Sequence, residues 1–239
     1  MKIWITRSLE DGQSLASEIT ARGHDAIVSP LINVNLSGIE PLRLNAANGF
    51  IFTSRNGVRA LLKEPIGNIE FLKEKPVFSV GSATSKIARE FGFEKIFEGG
   101  GDAQSLVPLI KQQNLETLGR LIHLRGDATA FDLMSALLEN GISIDELIVY
   151  DVKRVEELSR SVIDALQRDE VCGVMLMSAR TARYYLELMS QSGMGQEISK
   201  LQHICLSRAV AEVLEAVKVT NIKVASVPTR DALIDCLNN

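Results

Sequence analysis

The chain has 239 residues, 46% of them hydrophobic and 23% charged, with 17 Gly and 6 Pro; this is a globular balance, long enough for one large domain or two small ones, and it excludes disordered and collagen-like chains. Lys plus Arg number 26 against 30 Asp plus Glu, a formal net charge of -4 with no strongly basic block, so nucleic acid is not an expected partner. Apolar stretches such as Val171–Met177 fall far short of the roughly 20 residues of a bilayer span, and Met1-Lys2-Ile3-Trp4-Ile5-Thr6-Arg7 is too short an apolar run for a signal peptide, so a cytoplasmic protein with no membrane partner is expected.

Short apolar runs rich in branched or aromatic residues alternate with stretches of helical period, the signature of an α/β chain with parallel sheets. In chain order the strand runs are Ile3–Ile5, Ala26–Val28, Phe50–Thr53, Val77–Val80, Lys95–Phe97, Leu121–Leu124, Leu147–Tyr150, Val174–Met177, His203–Leu206 and Lys223–Ala225. Ten strands suit two five-stranded sheets. Helical spacing fills the gaps: Leu15, Ala16 and Ile19 after Asp11, then Val58–Leu62, Thr84–Phe91 and Ser105–Ile110, then Leu133, Leu137 and Leu138 before a stop at Gly141. It resumes at Val162–Leu166, Thr181–Met189, Val210–Val217 and Asp231–Leu237.

A weak repeat runs through these units. Arg7, its helix and Gly23 recur as Arg125, a helix and Gly141, each 118 positions on; Ser54 recurs as Ser178 after 124, and Gly81 as Ser207 after 126. A constant order with slowly drifting offsets favours two similar α/β halves over one sheet. Leu31–Leu36 and Tyr150–Val155 alternate with period 2 and are expected to pair as a two-stranded β-ladder acting as a hinge. The expected fold is α/β, with two similar domains, each a parallel β-sheet flanked by helices. Residues 1–34 plus 155–239 form a discontinuous first domain, and 35–154 form the second, including the connecting strands.

A turn of small polar residues recurs where strands give way to helices: Thr53-Ser54-Arg55-Asn56-Gly57, Gly81-Ser82-Ala83-Thr84, Ser178-Ala179-Arg180-Thr181 and Ser207-Arg208-Ala209. Exposed N–H groups at helix starts attract carboxylates and phosphates, and in parallel sheets such turns gather at the carboxyl edge. Each Ser or Thr also reads simply as a helix cap; four turns, two in each half, point to an anionic ligand held between domains. Arg7 and Arg125 end strands and suit carboxylate recognition, or are solvated strand-end residues. Gly99-Gly100-Gly101 lacks the downstream Lys-Ser/Thr of a P-loop, and no Gly-x-Gly-x-x-Gly opens a helix, which disfavours a nucleotide-dependent transferase.

His123 and His203 lie inside strand runs and read as packed residues, and His24 as a surface one. Cys172, Cys205 and Cys236 are odd in number and far apart, which fits buried, unreactive thiols better than a disulfide framework or a zinc motif. Neither a metal nor a cofactor is expected. Tyr150 closes a strand at the expected hinge, where its phenol is either an uncharged proton donor or an amphipathic edge residue.

These residues resemble the uroporphyrinogen-III synthase family over essentially the whole chain. The resemblance is carried by Ile5-Thr6-Arg7, Phe52-Thr53-Ser54-Arg55-Asn56-Gly57-Val58, Val80-Gly81-Ser82-Ala83-Thr84, Arg125-Gly126, Gly141 through Val149-Tyr150, Met177-Ser178 and Pro228-Thr229. It implies two α/β domains joined by a ladder, and a cofactor-free and metal-free reaction in which linear hydroxymethylbilane loses water, inverts ring D and closes to uroporphyrinogen III. It further implies Tyr150 as the proton donor. Arg7, Arg125, Thr229 and the turns Thr53–Gly57, Gly81–Thr84 and Ser178–Thr181 would be anchors for the carboxylates. Positioning of ring D for attack at its substituted carbon, more than strong acids or bases, would carry such catalysis. Two places depart from the family pattern: Ala130 stands where many bacterial members have a further Arg, and Ser207-Arg208-Ala209-Val210 replaces a Gly-Pro-x-Thr turn. A monomer is expected. The competing reading is a noncatalytic two-domain binding protein for an anionic metabolite.

Overall fold

The computed structural model describes residues 1–39, 41–63, 70–113 and 119–238. In chain order they form β1 (Lys2–Ile5), α1 (Leu9–Ala21), β2 (Asp25–Val28), β3 (Ile32–Leu36), α2 (Pro41–Asn45), β4 (Gly49–Phe52), α3 (Arg55–Lys63), α4 (Glu70–Lys73), β5 (Val77–Ser79), α5 (Ser82–Phe91), β6 (Ile96–Glu98) and α6 (Leu106–Lys111). There follow β7 (Leu121–Gly126), α7 (Leu133–Leu138), β8 (Ile144–Arg154), α8 (Arg160–Gln167), β9 (Val171–Leu176), α9 (Ala179–Gln191), a 3-10 turn at Gly195–Lys200, β10 (Gln202–Cys205), α10 (Arg208–Glu215), β11 (Ile222–Val224) and α11 (Arg230–Asp235). The chain divides into two compact units, Met1–Asn33 with Lys153–Asn239, and Val34–Val152.

The first unit is built on the sheet β11-β10-β9-β1-β2, every neighbouring pair parallel. Side chains alternate across such a sheet, and β1 shows the consequence. Ile3 and Ile5 join Leu15, Ile19, Leu233 and Ile234 on one face, while Trp4 joins Tyr185, Leu188, Met189 and Leu214 on the other. Trp4 meets Tyr185 edge-on at 5.6 Å between ring centres, and its indole N–H donates to the carbonyl of Ser29 at 2.8 Å, so its one polar atom is satisfied inside the core.

The second unit has the sheet β3-β8-β7-β4-β5-β6. From β8 to β6 the strands are parallel. Phe50 and Phe52 of β4 pack with Phe93 and Val58 on one face, and Ile51 packs with Phe78, Leu106 and Leu133 on the other. Helices therefore cover both faces, as a buried parallel sheet requires. β3 runs antiparallel to β8: Ser37 N–H donates to the Val149 carbonyl at 2.9 Å and Val155 N–H to the Leu31 carbonyl at 3.1 Å.

Three details correct the sequence reading. The sheets have five and six strands, because Leu31–Leu36 contributes β3 as an edge strand; Leu147–Tyr150 and Tyr150–Val155 fuse into the 11-residue β8. The short α2 and α4 and the 3-10 turn span too few turns to leave a helical period. Cys172 is exposed, whereas Cys205 is buried and Cys236 half-buried; the β1–β9 register passes from Val171 to Gly173, so Cys172 is the extra residue of a bulge and turns out of the core. Burial pushes the Cys205 thiol up to about 12.

Candidate active-site cavity

At the carboxyl ends of β4, β5 and β7 the second unit encloses a cavity of about 440 Å³. Its wall includes Thr53 after β4, Val80 after β5, Gly101–Gln104 after β6, His123 and Gly126 of β7, Ala128–Phe131 and Tyr150 of β8. Close packing brings these ends together. A side-chain carbon at Gly57 would stand 2.5 Å from the Leu124 carbonyl, so the absence of one lets α3 lie directly on β7, placing Thr53 beside His123. Likewise a carbon at Gly126 would stand 2.7 to 3.1 Å from the Tyr150 ring and hydroxyl; the glycine is the seat of the tyrosine.

A continuous polar chain backs the wall. Thr53 Oγ1 lies 2.9 Å from His123 Nε2, His123 Nδ1 lies 3.1 Å from Glu146 Oε1, and Arg125 Nε donates to Glu146 Oε2 at 2.6 Å. Arg125 also donates to the Gly126 carbonyl at 2.7 Å. Strand pairing sets this arrangement, since His123 of β7 and Glu146 of β8 are register partners. His123 is 1% exposed. Burial holds its imidazole below the usual histidine range and outweighs the opposing pull of Glu146. The Tyr150 ring is buried, and among the described residues its hydroxyl has no hydrogen-bond partner.

The expected site residues divide between the two units. In the second, Thr53 and Tyr150 line the cavity. Ser54 Oγ accepts from Asn56 N–H at 3.2 Å, and Asn56 Oδ1 accepts from Arg59 at 3.1 Å, which holds the start of α3; Arg55 is half-buried there. Gly81 precedes α5 without a side-chain cap, so the helix presents Ser82 and Ala83, both exposed. Thr84 is buried and its N–H donates to the Gly81 carbonyl at 3.0 Å. Arg125 is held by Glu146, with its guanidinium behind the wall. Ala130 lies on the wall itself.

In the first unit Arg7 pairs with Asp11 of α1. Ser178 caps α9, accepting from Thr181 N–H at 3.1 Å and bonding the Thr181 hydroxyl at 2.8 Å. Thr229 caps α11 through Ala232 N–H at 3.4 Å. Ala179 is half-buried and Arg180 exposed. Ser178 and Thr229 thus perform the capping role that their residue types suggest.

Sequence reasoning misses the other half of the polar chain. His123 does pack inside a strand, as its apolar neighbours suggest, but it also lies on the cavity wall, and nothing local in the sequence marks Glu146 as its partner. The available signal is a histidine within the otherwise apolar run Leu121-Ile122-His123-Leu124, since a buried ring nitrogen needs a partner. His203 shows the purely structural case: it is buried, with Tyr185 Oη 3.0 Å from its Nε2. Among the described residues no cluster of metal-ligating side chains occurs, and no helix is long and apolar enough to cross a membrane.

Two α/β units of like topology, one with polar strand ends lining a cavity at its sheet edge, define a duplicated α/β protein with a pocket where parallel sheets bind small molecules. The family model described as "Uroporphyrinogen-III synthase HemD" matches residues 13–235, and the chain belongs to the uroporphyrinogen-III synthase family, the cyclising hydro-lyases that act on a tetrapyrrole substrate in tetrapyrrole biosynthesis. Among solved structures it is similar to uroporphyrinogen-III synthetase from Helicobacter pylori 26695, at 18% identity and a TM-score of 0.67 over 99% of this chain and 97% of that one. It is also similar to a mutant uroporphyrinogen III synthase from the extremely thermophilic bacterium Thermus thermophilus, at 16% identity and a TM-score of 0.56 over 100% and 97% of the two chains. These likenesses show the shared fold. No curated protein sequence matches the chain at a significant level.

Proposed function

We propose that the reaction, closure of hydroxymethylbilane to uroporphyrinogen III with loss of water and inversion of ring D, runs at the cavity of the second unit, with Tyr150 as its proton donor. The observation that carries this reading is the Tyr150 side chain, set on the cavity wall over Gly126, with a hydroxyl that has no hydrogen-bond partner among the described residues. Its proton passes to the departing hydroxyl, which leaves as water; the proton released when the closed pyrrole regains aromaticity returns to the phenolate. A phenol suits this step because it is neutral at pH 7 and donates without bringing a cation into the cavity. Geometry then selects the type III product, because the electrophilic intermediate can also close unaided without inversion.

The exposed start of α5 at Ser82 and Ala83 supports a carboxylate anchor beside the cavity. Ser54, Arg55, Asn56, Gly57, Gly81, Thr84 and Arg125 serve by shaping and holding that edge, and Arg7, Ser178, Ala179, Arg180, Thr181 and Thr229 form the corresponding set in the first unit. The domains are residues 1–34 plus 155–239 and residues 35–154. The protein acts as a cytoplasmic monomer. The test is to generate hydroxymethylbilane in situ, add the purified protein without metal or cofactor, oxidise the products and separate the isomers. Predominantly type III is expected; type I alone, from folded protein, overturns the assignment.

A further inference from the structure

We infer that the Thr53 hydroxyl faces the cavity as a hydrogen-bond acceptor, held that way by His123 and Glu146 as positioning residues, and that the substrate group it receives is a pyrrole N–H and not a carboxylate. This rests on the reading of the cavity as the tetrapyrrole site.

The direction of each hydrogen bond follows from what each group can give. Glu146 accepts from Arg125 Nε at 2.6 Å through Oε2, and its Oε1 faces His123 Nδ1 at 3.1 Å. A carboxylate only accepts, so Nδ1 carries the ring proton. Arg125 already balances Glu146, and an imidazolium would be a second buried cation beside that guanidinium, at a residue 1% exposed. Burial and Arg125 both disfavour the charged ring, against the pull of Glu146. The neutral ring with its proton on Nδ1 has a bare Nε2, and Thr53 Oγ1, 2.9 Å away, is its donor. A threonine hydroxyl has one proton, and here it points into the wall; only lone pairs remain for the cavity. A substrate carboxylate has no proton to offer them, whereas each pyrrole ring carries an N–H. The helix starts and Thr53 thereby divide the work: backbone N–H groups take the acidic side chains, and Thr53 takes the ring that bears them. Nothing in the fold demands this chain, because the equivalent places in the first unit, 118 and 124 positions away, hold Ile5 and Met177.

The direct test is the nitrogen spectrum of histidine-labelled protein at neutral pH, with His123→Gln identifying the signal among the three histidines. A protonated Nδ1 and a bare Nε2 are expected, both in the free protein and with uroporphyrinogen III bound. An imidazolium or an Nε2–H ring in either state overturns the inference, since Thr53 would then have its proton free for a carboxylate. In parallel, Thr53→Val should weaken uroporphyrinogen III binding about fivefold, the loss of one neutral hydrogen bond, and Thr53→Ser should stay within about twofold. Unchanged binding by Thr53→Val, at unchanged melting temperature, overturns the contact; if that variant does not fold, the ring spectrum decides, and loss of binding by Thr53→Ser overturns the contact. A wild-type protein that makes no type III product would remove the tetrapyrrole reading, while the free-protein spectrum would still report the direction of the Thr53 hydroxyl.

Discussion

The two units build the same sheet twice and use its central strands differently. β2-β1-β9-β10-β11 in the first corresponds to β8-β7-β4-β5-β6 in the second. In the second unit His123 pairs in register with Glu146 of β8 and with Ile51 of β4. At the corresponding place in the first, Ile5 pairs with Val28 of β2 and Met175 of β9, inside a wholly apolar cluster. The cationic strand end differs as well: Arg7 is tied to Asp11 on its own following helix, whereas Arg125 is tied across the sheet to Glu146. An apolar Ile-Val-Met set satisfies this sheet and leaves no donor or acceptor stranded, so the Thr53–His123–Glu146–Arg125 chain adds nothing that folding requires. Buried polar groups that a fold can replace with hydrocarbon are candidates for a functional role.

Tyr150→Phe is the largest separation of function from stability that this comparison predicts. Removing the hydroxyl should slow type III formation about 100-fold or more, the usual worth of a positioned general acid. The melting temperature should hold, because the hydroxyl has no protein partner to lose among the described residues. Rate measurement with hydroxymethylbilane generated in situ, beside a thermal melt, checks both halves. An unchanged rate would move proton donation to water.

Next comes a contrast between the two ion pairs. Glu146→Gln removes the charge that holds Arg125, and both side chains are less than a fifth exposed, so about 2 kcal/mol of stability should go. Arg7→Gln removes a guanidinium that is 31% exposed and leaves Asp11, 5% exposed, without it; the α1 dipole still favours the carboxylate, and about 1 kcal/mol is expected. Urea unfolding of the two variants measures the difference, and equal losses would show that the cross-sheet pair is no more committed than the local one.

How much of this is legible in the sequence follows from where the signals lie. Parallel α/β units and the duplication are readable because strands and helices alternate and because Arg7 and Gly23, then Arg125 and Gly141, keep one spacing. Thr53 is readable from residue type and its position at the end of β4, and Tyr150 from residue type, although β8 runs on past it to Arg154. The His123–Glu146 pair is not, for it depends on the register between β7 and β8, residues 23 positions apart in sequence, and no local pattern encodes a register. Cys172 escapes for the same reason: the bulge that expels it is a property of the β1–β9 pairing. Ser178 and Thr229 show the opposite limit, since the sequence offers a cap and an anchor at each and only the hydrogen bonds assign the cap.

The smallest effect compares the two buried histidines, one in each unit. Burial lowers both His123 and His203 from the usual histidine value, while in the unfolded chain both return to about 6.5. Well above 6.5 neither state binds the proton and the histidines leave stability unchanged with pH. As pH falls through 6.5 the unfolded chain protonates first, so stability present above that value is lost progressively toward the lowered folded-state value. The melting temperature should therefore decline on going from about pH 7 to about pH 5. His203→Gln should flatten that decline through the first unit alone, where among the described residues the ring's hydrogen bonds go to Tyr185 and backbone, and leave uroporphyrinogen III binding intact. His123→Gln should flatten it through the second and weaken binding as well, because only there does the ring hold a group facing the cavity. A decline that both variants leave untouched would assign the acid sensitivity to the carboxylates and remove the histidines from the pH response of either unit.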